Sequence, residues 1–103
     1  MPKRTDSDHL VAIHPGEFIR EDYLAPLSMS ASALALALRV PATRIVEIVN
    51  ERRGISTDTA FRLGLFFGTT PDFWINMQKS YEIAVARKEL LPKIRKEVKR
   101  YVA

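Results

Sequence analysis

Apolar side chains recur at helical spacing along most of the chain, and no segment shows the strict alternation of a β-strand. The pattern therefore predicts an all-α fold. The first helix begins at His14-Pro15-Gly16-Glu17, where proline suits the first helical position and an acid suits the positive N-terminal end. We expect this helix to stop at Pro26, because proline disfavours helical geometry in the residue before it. Its apolar side comprises Phe18, Ile19, Tyr23 and Leu24.

A pair of short helices within residues 30–50 is the most informative feature. Ser30 is a favourable N-cap, and Met29 and Leu34 occupy the two positions of a hydrophobic staple. The second helix of the pair, which is the third of the chain, runs roughly over Ala42–Asn50 and follows a turn of only three residues. The predicted buried positions of the two helices are Ala31, Leu34, Ala35, Leu38, Ile45, Ile48 and Val49.

Two amphipathic helices joined by so short a turn are typical of a helix-turn-helix. Ala35 supplies the small side chain that a close helix crossing needs. Arg39 stands where such turns usually carry glycine in a left-handed conformation. This conformation costs a non-glycine residue about 1–2 kcal/mol. Pro41 opens the second helix without a capping side chain. An ordinary helical hairpin is the alternative interpretation.

Two more helices and a basic C-terminal segment follow. Ser56 or Thr57 caps the fourth helix, and Gly68 is a natural C-cap. Thr70-Pro71-Asp72 starts the fifth helix, and Pro92 breaks or kinks the pattern after it. The apolar positions of these segments are Ala60, Leu63 and Phe67, then Phe73, Trp74, Met77, Tyr81, Ala84 and Val85, then Leu91, Ile94, Val98 and Tyr101 or Val102.

The length of 103 residues predicts one domain. We expect a flexible arm over 1–12, a helix-turn-helix domain over 13–85 and a basic amphipathic helix over 86–103. The absence of cysteine excludes disulfides and thiolate metal sites and suits the cytosol. The polar start is unlike a signal peptide, and the longest apolar run, Ala33–Leu38, is too short to span a bilayer. The expectation is a cytoplasmic protein that does not enter the membrane.

The positive charge is concentrated at one end of the chain. The formal net charge is +4, but residues 87–103 hold seven basic and two acidic side chains, against nine and ten in residues 1–86. Overall basicity is therefore weak evidence for nucleic-acid binding. The basic helix has three interpretations: a solvated helix docked on the core, a contact with a dimer partner or toxin, or an additional nucleic-acid arm.

A recognition helix would enter the major groove with its N-terminal end leading. Arg44 can then bond guanine O6 and N7, and Thr43 can bond a base edge or touch a thymine methyl. Ala42 offers apolar contact only, and Glu47 can accept from cytosine N4. A solvated surface position is the alternative for each arginine. The predicted phosphate contacts are Ser30, Asn50, Arg52 and Arg53.

Other polar residues do not indicate catalysis. The sequence has no cysteine, no phosphate-binding loop and no acid pair in a suggested pocket, so we expect neither an enzyme nor a cofactor. His9 and His14 lie in no cluster with ligand spacing, so no metal site is expected, and His14 is interpreted as structural. Trp74 is expected to close the core between the fourth and fifth helices, and Leu36 is expected to be exposed.

Several of these motifs occur together in one order: His14-Pro15-Gly16-Glu17, Pro26-Leu27, the helix pair at 30–50, the segment 50–54 and the run Thr70-Pro71-Asp72-Phe73-Trp74-Ile75-Asn76-Met77-Gln78. Over roughly residues 13–85 the chain resembles the HigA/VapI family of antitoxins, within the wider Xre/Cro-like repressor group. The resemblance implies a five-helix, lambda-repressor-like domain, a homodimer, operator DNA and a paired toxin. Such toxins are RelE-like, ribosome-dependent mRNA endonucleases.

The resemblance favours an antitoxin that neutralises its toxin and represses the shared operon. A free-standing Xre-type transcriptional regulator and a helical protein-interaction module are the alternatives. Departures from the family pattern bear on DNA affinity rather than on the fold: Ala31 replaces glutamine, Arg39 replaces glycine and Pro41 replaces serine. A basic toxin would suit the acidic residues of the first helix or of the N-terminal arm: Glu17, Glu21 and Asp22, or Asp6 and Asp8.

Overall fold

The computed structural model describes residues 12–102, and this part of the chain contains six helices and no strand. The predicted arm over 1–12 lies outside the described residues except for Ala12. The all-α prediction is confirmed. Helix α1 consists of Pro15–Phe18, a π-helical segment Ile19–Leu24, and Ala25–Leu27; it is followed by α2 (Ala31–Leu38), α3 (Ala42–Val49), α4 (Thr57–Phe67), α5 (Pro71–Glu89) and α6 (Leu91–Glu97).

Helix α1 continues through Pro26, so the predicted stop at this residue is wrong. Ala25 keeps helical angles (φ −62°, ψ −50°), and its N–H donates to the Arg20 carbonyl five residues earlier. This wider π register gives room to the proline ring, which in a regular α-helix crowds the carbonyl four residues before it. The helix ends two residues later, where Ser28 adopts a left-handed conformation (φ 51°, ψ 39°).

The predicted N-caps are confirmed. The Ser30 Oγ accepts a hydrogen bond from the N–H three residues further on at 3.0 Å. Ser56, rather than Thr57, caps α4 in the same way at 3.3 Å. Thr70 caps α5 at 3.2 Å. Each cap satisfies an N–H group that has no partner within its helix, so these three residues define where α2, α4 and α5 begin.

The turn between α2 and α3 is left-handed at Arg39 (φ 62°, ψ 43°), the position at which such turns usually carry glycine. The Arg39 N–H donates to the Leu36 carbonyl at 3.2 Å, and the Val40 N–H donates to the Ala35 carbonyl at 3.0 Å. This pair of bonds is the Schellman motif, which satisfies carbonyls at a helix C-terminus. Left-handed residues also follow α1 and α4 directly, at Ser28 and Gly68, and α3 after one intervening residue, at Glu51.

The hydrophobic core forms where α1 to α5 meet. Trp74 is fully buried between α4 and α5, as expected, and its Nε1 donates to the Thr69 Oγ1 at 2.7 Å. Leu36 is 74% exposed, as expected, and Ala31 is half-buried rather than buried. The buried apolar residues are Ile19, Leu24, Leu34, Ala35, Leu38, Ile45, Ile48, Val49, Ile55, Ala60, Leu63 and Trp74.

The C-terminal helix is shorter than predicted. Helix α5 runs through residue 86 to Glu89, and a new helix, α6, starts at Leu91 with Pro92 in its first turn. The predicted break of the helical pattern at Pro92 is therefore confirmed. Val98 is extended (φ −104°, ψ 122°), so the expected helical repeat over 98–102 is absent. Helix α6 buries no residue. A seven-residue helix without a buried face lacks the tertiary packing that supplies most of the stability of a short helix, so it does not extend further. No helix of the described part is long and apolar enough to cross a membrane.

Candidate nucleic-acid interface

Helix α3 divides cleanly into a buried and an exposed face. Ile45 and Ile48 are fully buried, which anchors the helix on the core. Ala42, Thr43 and Val46 are exposed along the opposite face. This separation matches the amphipathic prediction, and it leaves one side of α3 open to a ligand.

Arg44, the predicted guanine contact, is hydrogen-bonded within the protein. Its Nη1 donates to the Asp58 Oδ1 at 2.8 Å. The same oxygen accepts from the Arg62 Nε at 2.7 Å, and the Arg62 Nη1 donates to the Leu38 carbonyl at 2.9 Å. The hydrogen bonds from Arg62 and then from Arg44 hold the pKa of Asp58 below its usual value. A charged carboxylate therefore links the first turns of α3 and α4 to the end of α2.

Two other predicted DNA contacts are paired with each other. The Arg53 Nη2 lies 2.6 Å from the Glu47 Oε1. The neighbouring Arg52 is exposed and forms no ion pair with any described residue. An exposed ion pair contributes only about 0–1 kcal/mol to stability. The pair between Glu47 and Arg53 can therefore separate at a small cost in free energy, which leaves each side chain able to bind a new partner.

The remaining predicted contacts lie at helix ends. Ser30 is exposed at the start of α2, where its hydroxyl oxygen is engaged as the N-cap. Asn50 is exposed at the end of α3 (φ −90°, ψ 8°). Pro41 provides no side-chain cap to α3, as expected. Of the eight predicted residues, the structure joins only Glu47 and Arg53 by an ion pair.

The C-terminal end of α3 is held by α1. A side chain at Gly16 would overlap the Ile48 carbonyl oxygen, so the two backbones can approach only because this residue lacks a Cβ. The Arg20 Nη1 donates to the Val49 carbonyl oxygen, and its Nη2 lies 3.4 Å from the Glu51 Oε2. Carbonyls at a helix C-terminus lack intrahelical partners and carry partial negative charge. Arg20 therefore satisfies and neutralises this end of α3.

His14 fixes the start of α1, as the structural interpretation predicted. It is 5% exposed, its Nδ1 accepts from the Gly16 N–H at 2.9 Å, and its ring centroid lies 4.8 Å from that of Tyr81. Burial lowers the pKa of His14 below its ordinary value of 6.5. The imidazole is therefore neutral at physiological pH, as a hydrogen-bond acceptor must be.

The loop after α3 is tied to α5 by Gln78, which is buried. Its Oε1 accepts from the Ile55 N–H at 2.8 Å, and its Nε2 donates to the Glu82 Oε2 at 2.9 Å. Gln78 therefore links the loop after α3 to α5 at Ile55.

Comparison with known proteins places this architecture in a family. No family model matches the chain. Virulence-associated protein I of Dichelobacter nodosus is 50% identical over 82 residues, which make up 80% of this chain and 76% of that relative. A solved addiction module antidote protein of the HigA family from Coxiella burnetii is 47% identical, with a TM-score of 0.82 over 88% of this chain and 99% of that one. The chain belongs to the HigA/VapI family of antitoxins.

A second structure from this family was solved with nucleic acid. Pseudomonas aeruginosa antitoxin HigA, determined with the higBA promoter, is 42% identical, with a TM-score of 0.85 over 88% of this chain and 99% of that one. The similarity confirms the Xre-type helix-turn-helix fold that the sequence resemblance implied.

Sequence reasoning missed the residues that position the interface: Arg20, Asp58, Arg62 and Gln78. Asp58 and Arg62 had a detectable signal, because an acid and a base four residues apart on a helix pair readily. The Val49 carbonyl that Arg20 binds and the Ile55 N–H that Gln78 binds lie 29 and 23 residues away, and no local pattern reveals such contacts. Within the described residues no group of three or more side chains could hold a metal ion; His9 lies outside them.

Proposed function

We propose that this chain is a cytoplasmic antitoxin that neutralises a RelE/HigB-like mRNA endonuclease and, as a homodimer, represses its own operon. The observation that carries the DNA-binding half is the exposed face of α3, which has Arg44 in its first turn. The relative from P. aeruginosa, solved with its promoter, supports the same use of the same fold.

Base reading is assigned to α3 and backbone contact to its surroundings. With the N-terminal end of α3 leading into the major groove, Arg44 contacts guanine and Thr43 a base edge or a thymine methyl. Ala42 can make only apolar contact with the base that it faces, and Glu47 selects against bases that present no hydrogen-bond donor. The assigned phosphate contacts are Ser30, Asn50, Arg52 and Arg53, all exposed in the free protein.

A titration of operator and random duplexes over a range of salt concentrations tests this assignment. Specific binding should weaken with a log–log slope of about −0.9 per phosphate neutralised, and a dimer should prefer two half-sites about 34 Å apart. Arg44→Ala should cost about 1–3 kcal/mol at one base pair, whereas Arg52→Ala should weaken binding to all duplexes alike. Equal losses on operator and random DNA for both variants would overturn direct readout by Arg44.

The toxin-binding half is assigned to the acidic side of α1. Glu17 and Asp22 are half-exposed there, and Glu21 is paired with Arg20 at 3.1 Å. Charge reversal at Glu17 and Asp22 should weaken capture of a basic toxin. Operator binding should be preserved, because this variant keeps Arg20, which holds the C-terminal end of α3. Unchanged toxin affinity would remove this face from the proposal. The acids of the N-terminal segment, Asp6 and Asp8, lie outside the described residues.

Growth of cells that express the small reading frame beside this gene tests the toxin–antitoxin pairing directly. We expect growth arrest that co-expression of this chain relieves. If the neighbour is verifiably expressed and growth continues, the chain is a free-standing transcriptional regulator, and only the DNA-binding half of the proposal stands.

A further inference from the structure

We propose that Asp58 is a positioning residue for base reading, because it fixes the Arg44 guanidinium in one orientation before DNA binds. The inference rests on the proposed DNA-binding function and deepens it. Asp58 has no assigned contact with DNA, and it acts through Arg44, its hydrogen-bond partner at 2.8 Å.

The carboxylate of Asp58 is itself held in place. Arg62 donates to it through Nε at 2.7 Å, and through Nη1 donates to the Leu38 carbonyl at 2.9 Å. Leu38 is the last residue of α2 and is buried in the core. The chain of hydrogen bonds therefore starts from a fixed backbone atom, so Asp58 presents a fixed acceptor to Arg44.

This arrangement leaves Arg44 competent to read a base. A guanidinium carries five N–H groups in a rigid planar fork. The bond to Asp58 uses one N–H of Nη1, and the side chain keeps 29% of its surface exposed. The unused donors can form the two parallel bonds that guanine accepts. A flexible arginine would have to be ordered during binding, and prior ordering removes part of that entropic cost.

The charge of Asp58 favours discrimination over general affinity. A carboxylate beside the groove repels phosphates and partly cancels the attraction of Arg44 for any duplex. Only a base that accepts both hydrogen bonds compensates for this repulsion. Loss of the carboxylate should therefore tighten binding to random DNA while it loosens selection at the base pair that Arg44 reads.

The test is a set of dissociation constants for the operator, for operators substituted at each base pair, and for a random duplex. We expect Arg44→Ala to reduce discrimination at one base pair by about tenfold. Asp58→Asn should reduce it by about threefold at the same base pair and bind random DNA more tightly. In the Arg44→Ala background, Asp58→Asn should change discrimination no further.

Two variants separate position from charge and from helix stability. Asp72→Asn removes an exposed acid from the first turn of α5, the counterpart of Asp58 in the first turn of α4. It should leave base discrimination unchanged. Asp58→Glu keeps the charge but moves the carboxylate by one methylene group, so it should bind random DNA like the wild type and still lose discrimination at the Arg44 base pair.

The possible results distinguish this inference from the proposed function. If Arg44→Ala alters discrimination and neither Asp58 variant does, the positioning role is overturned and the base contact stands. If the Asp58 variants weaken binding equally on every duplex, Asp58 is only a structural link between α3 and α4, which also overturns the inference. If Arg44→Ala changes discrimination nowhere, the proposed base contact itself fails.

Discussion

The two ends of helix α3 are held by different kinds of interaction. At the N-terminal end, Pro41 provides no cap and the Arg44 side chain is held by an exposed acid, Asp58. At the C-terminal end, Gly16 brings the α1 backbone against the Ile48 carbonyl, and Arg20 occupies the carbonyl of Val49. One end is therefore held by surface ion pairs and the other by backbone packing.

This difference suits a helix that must be rigid and still meet a ligand. The single bond to Asp58 leaves most N–H donors of Arg44 unused at an exposed site, so the guanidinium can contact DNA without breaking it. A close backbone approach cannot be exchanged without disturbing the core, because interiors are packed as tightly as organic crystals. The C-terminal end thus fixes the direction of α3, while the N-terminal end keeps its side chains available.

Replacement of Gly16 by alanine should have the largest effect on this comparison. The added methyl would overlap the Ile48 carbonyl oxygen, and the backbone on both sides is held by helices. We expect a loss of about 3 kcal/mol or more in the free energy of unfolding, measured by denaturant titration. Gly54→Ala is the matched control. Its methyl would meet the Gln78 side chain rather than a backbone atom, so the loss should be smaller. Equal losses would show that the α1–α3 approach is not special.

Replacement of Gln78 by leucine should have the next largest effect. It removes the acceptor of the buried Ile55 N–H, and an unsatisfied buried donor costs about 1–3 kcal/mol. The same change should speed hydrogen exchange in the loop over 50–55. Asn76→Leu, at an exposed position of the same helix, should leave both measurements near the wild type. A stable loop in the Gln78 variant would contradict its proposed role as the tether.

His14 should make the free energy of unfolding dependent on pH. Its pKa in the folded state lies below the ordinary value of 6.5, because burial disfavours the charged ring. The unfolded state therefore binds the proton first as the pH falls, and stability should decrease from pH 6.5 down to the folded-state pKa. Thermal unfolding across this range checks the slope. His14→Asn keeps an N-cap acceptor but cannot titrate, so its melting temperature should change less between the same pH values.

Replacement of Arg39 by glycine should give the smallest effect, and a favourable one. Arg39 adopts a left-handed conformation at the turn before α3, which costs about 1–2 kcal/mol, and glycine relieves this cost. The greater freedom of the unfolded chain offsets about 0.4–1 kcal/mol of the gain. We expect a net stabilisation of under about 1 kcal/mol. Arg39→Ala keeps the strain and should not stabilise; if it matches glycine, the gain comes from loss of the side chain instead.

The C-terminal segment shows where a correct local pattern did not predict the structure. Its apolar residues repeat at helical spacing, yet the helix stops at Glu97. Its last apolar residues are largely exposed, at 67% for Val98, 86% for Tyr101 and 82% for Val102. Helical spacing alone does not stabilise a short helix, because most of its stability comes from packing of its apolar face.

What the sequence determined by itself depends on neighbours within about four residues. The caps at Ser30, Ser56 and Thr70, the left-handed turn at Arg39 and the buried face of α3 all belong to this class. Capping and helical periodicity act over a single turn, and a linear pattern displays them directly.

The tertiary structure decided which distant groups meet. The Arg44–Asp58, Arg20–Val49 and Ile55–Gln78 contacts join residues 14, 29 and 23 positions apart. Such contacts form only when helix crossings bring side chains within hydrogen-bond distance, which is about 3 Å, and a small change in crossing angle breaks them. The sequence therefore supplied the helix that reads DNA in our proposal, and only the packed fold showed how its two ends are held.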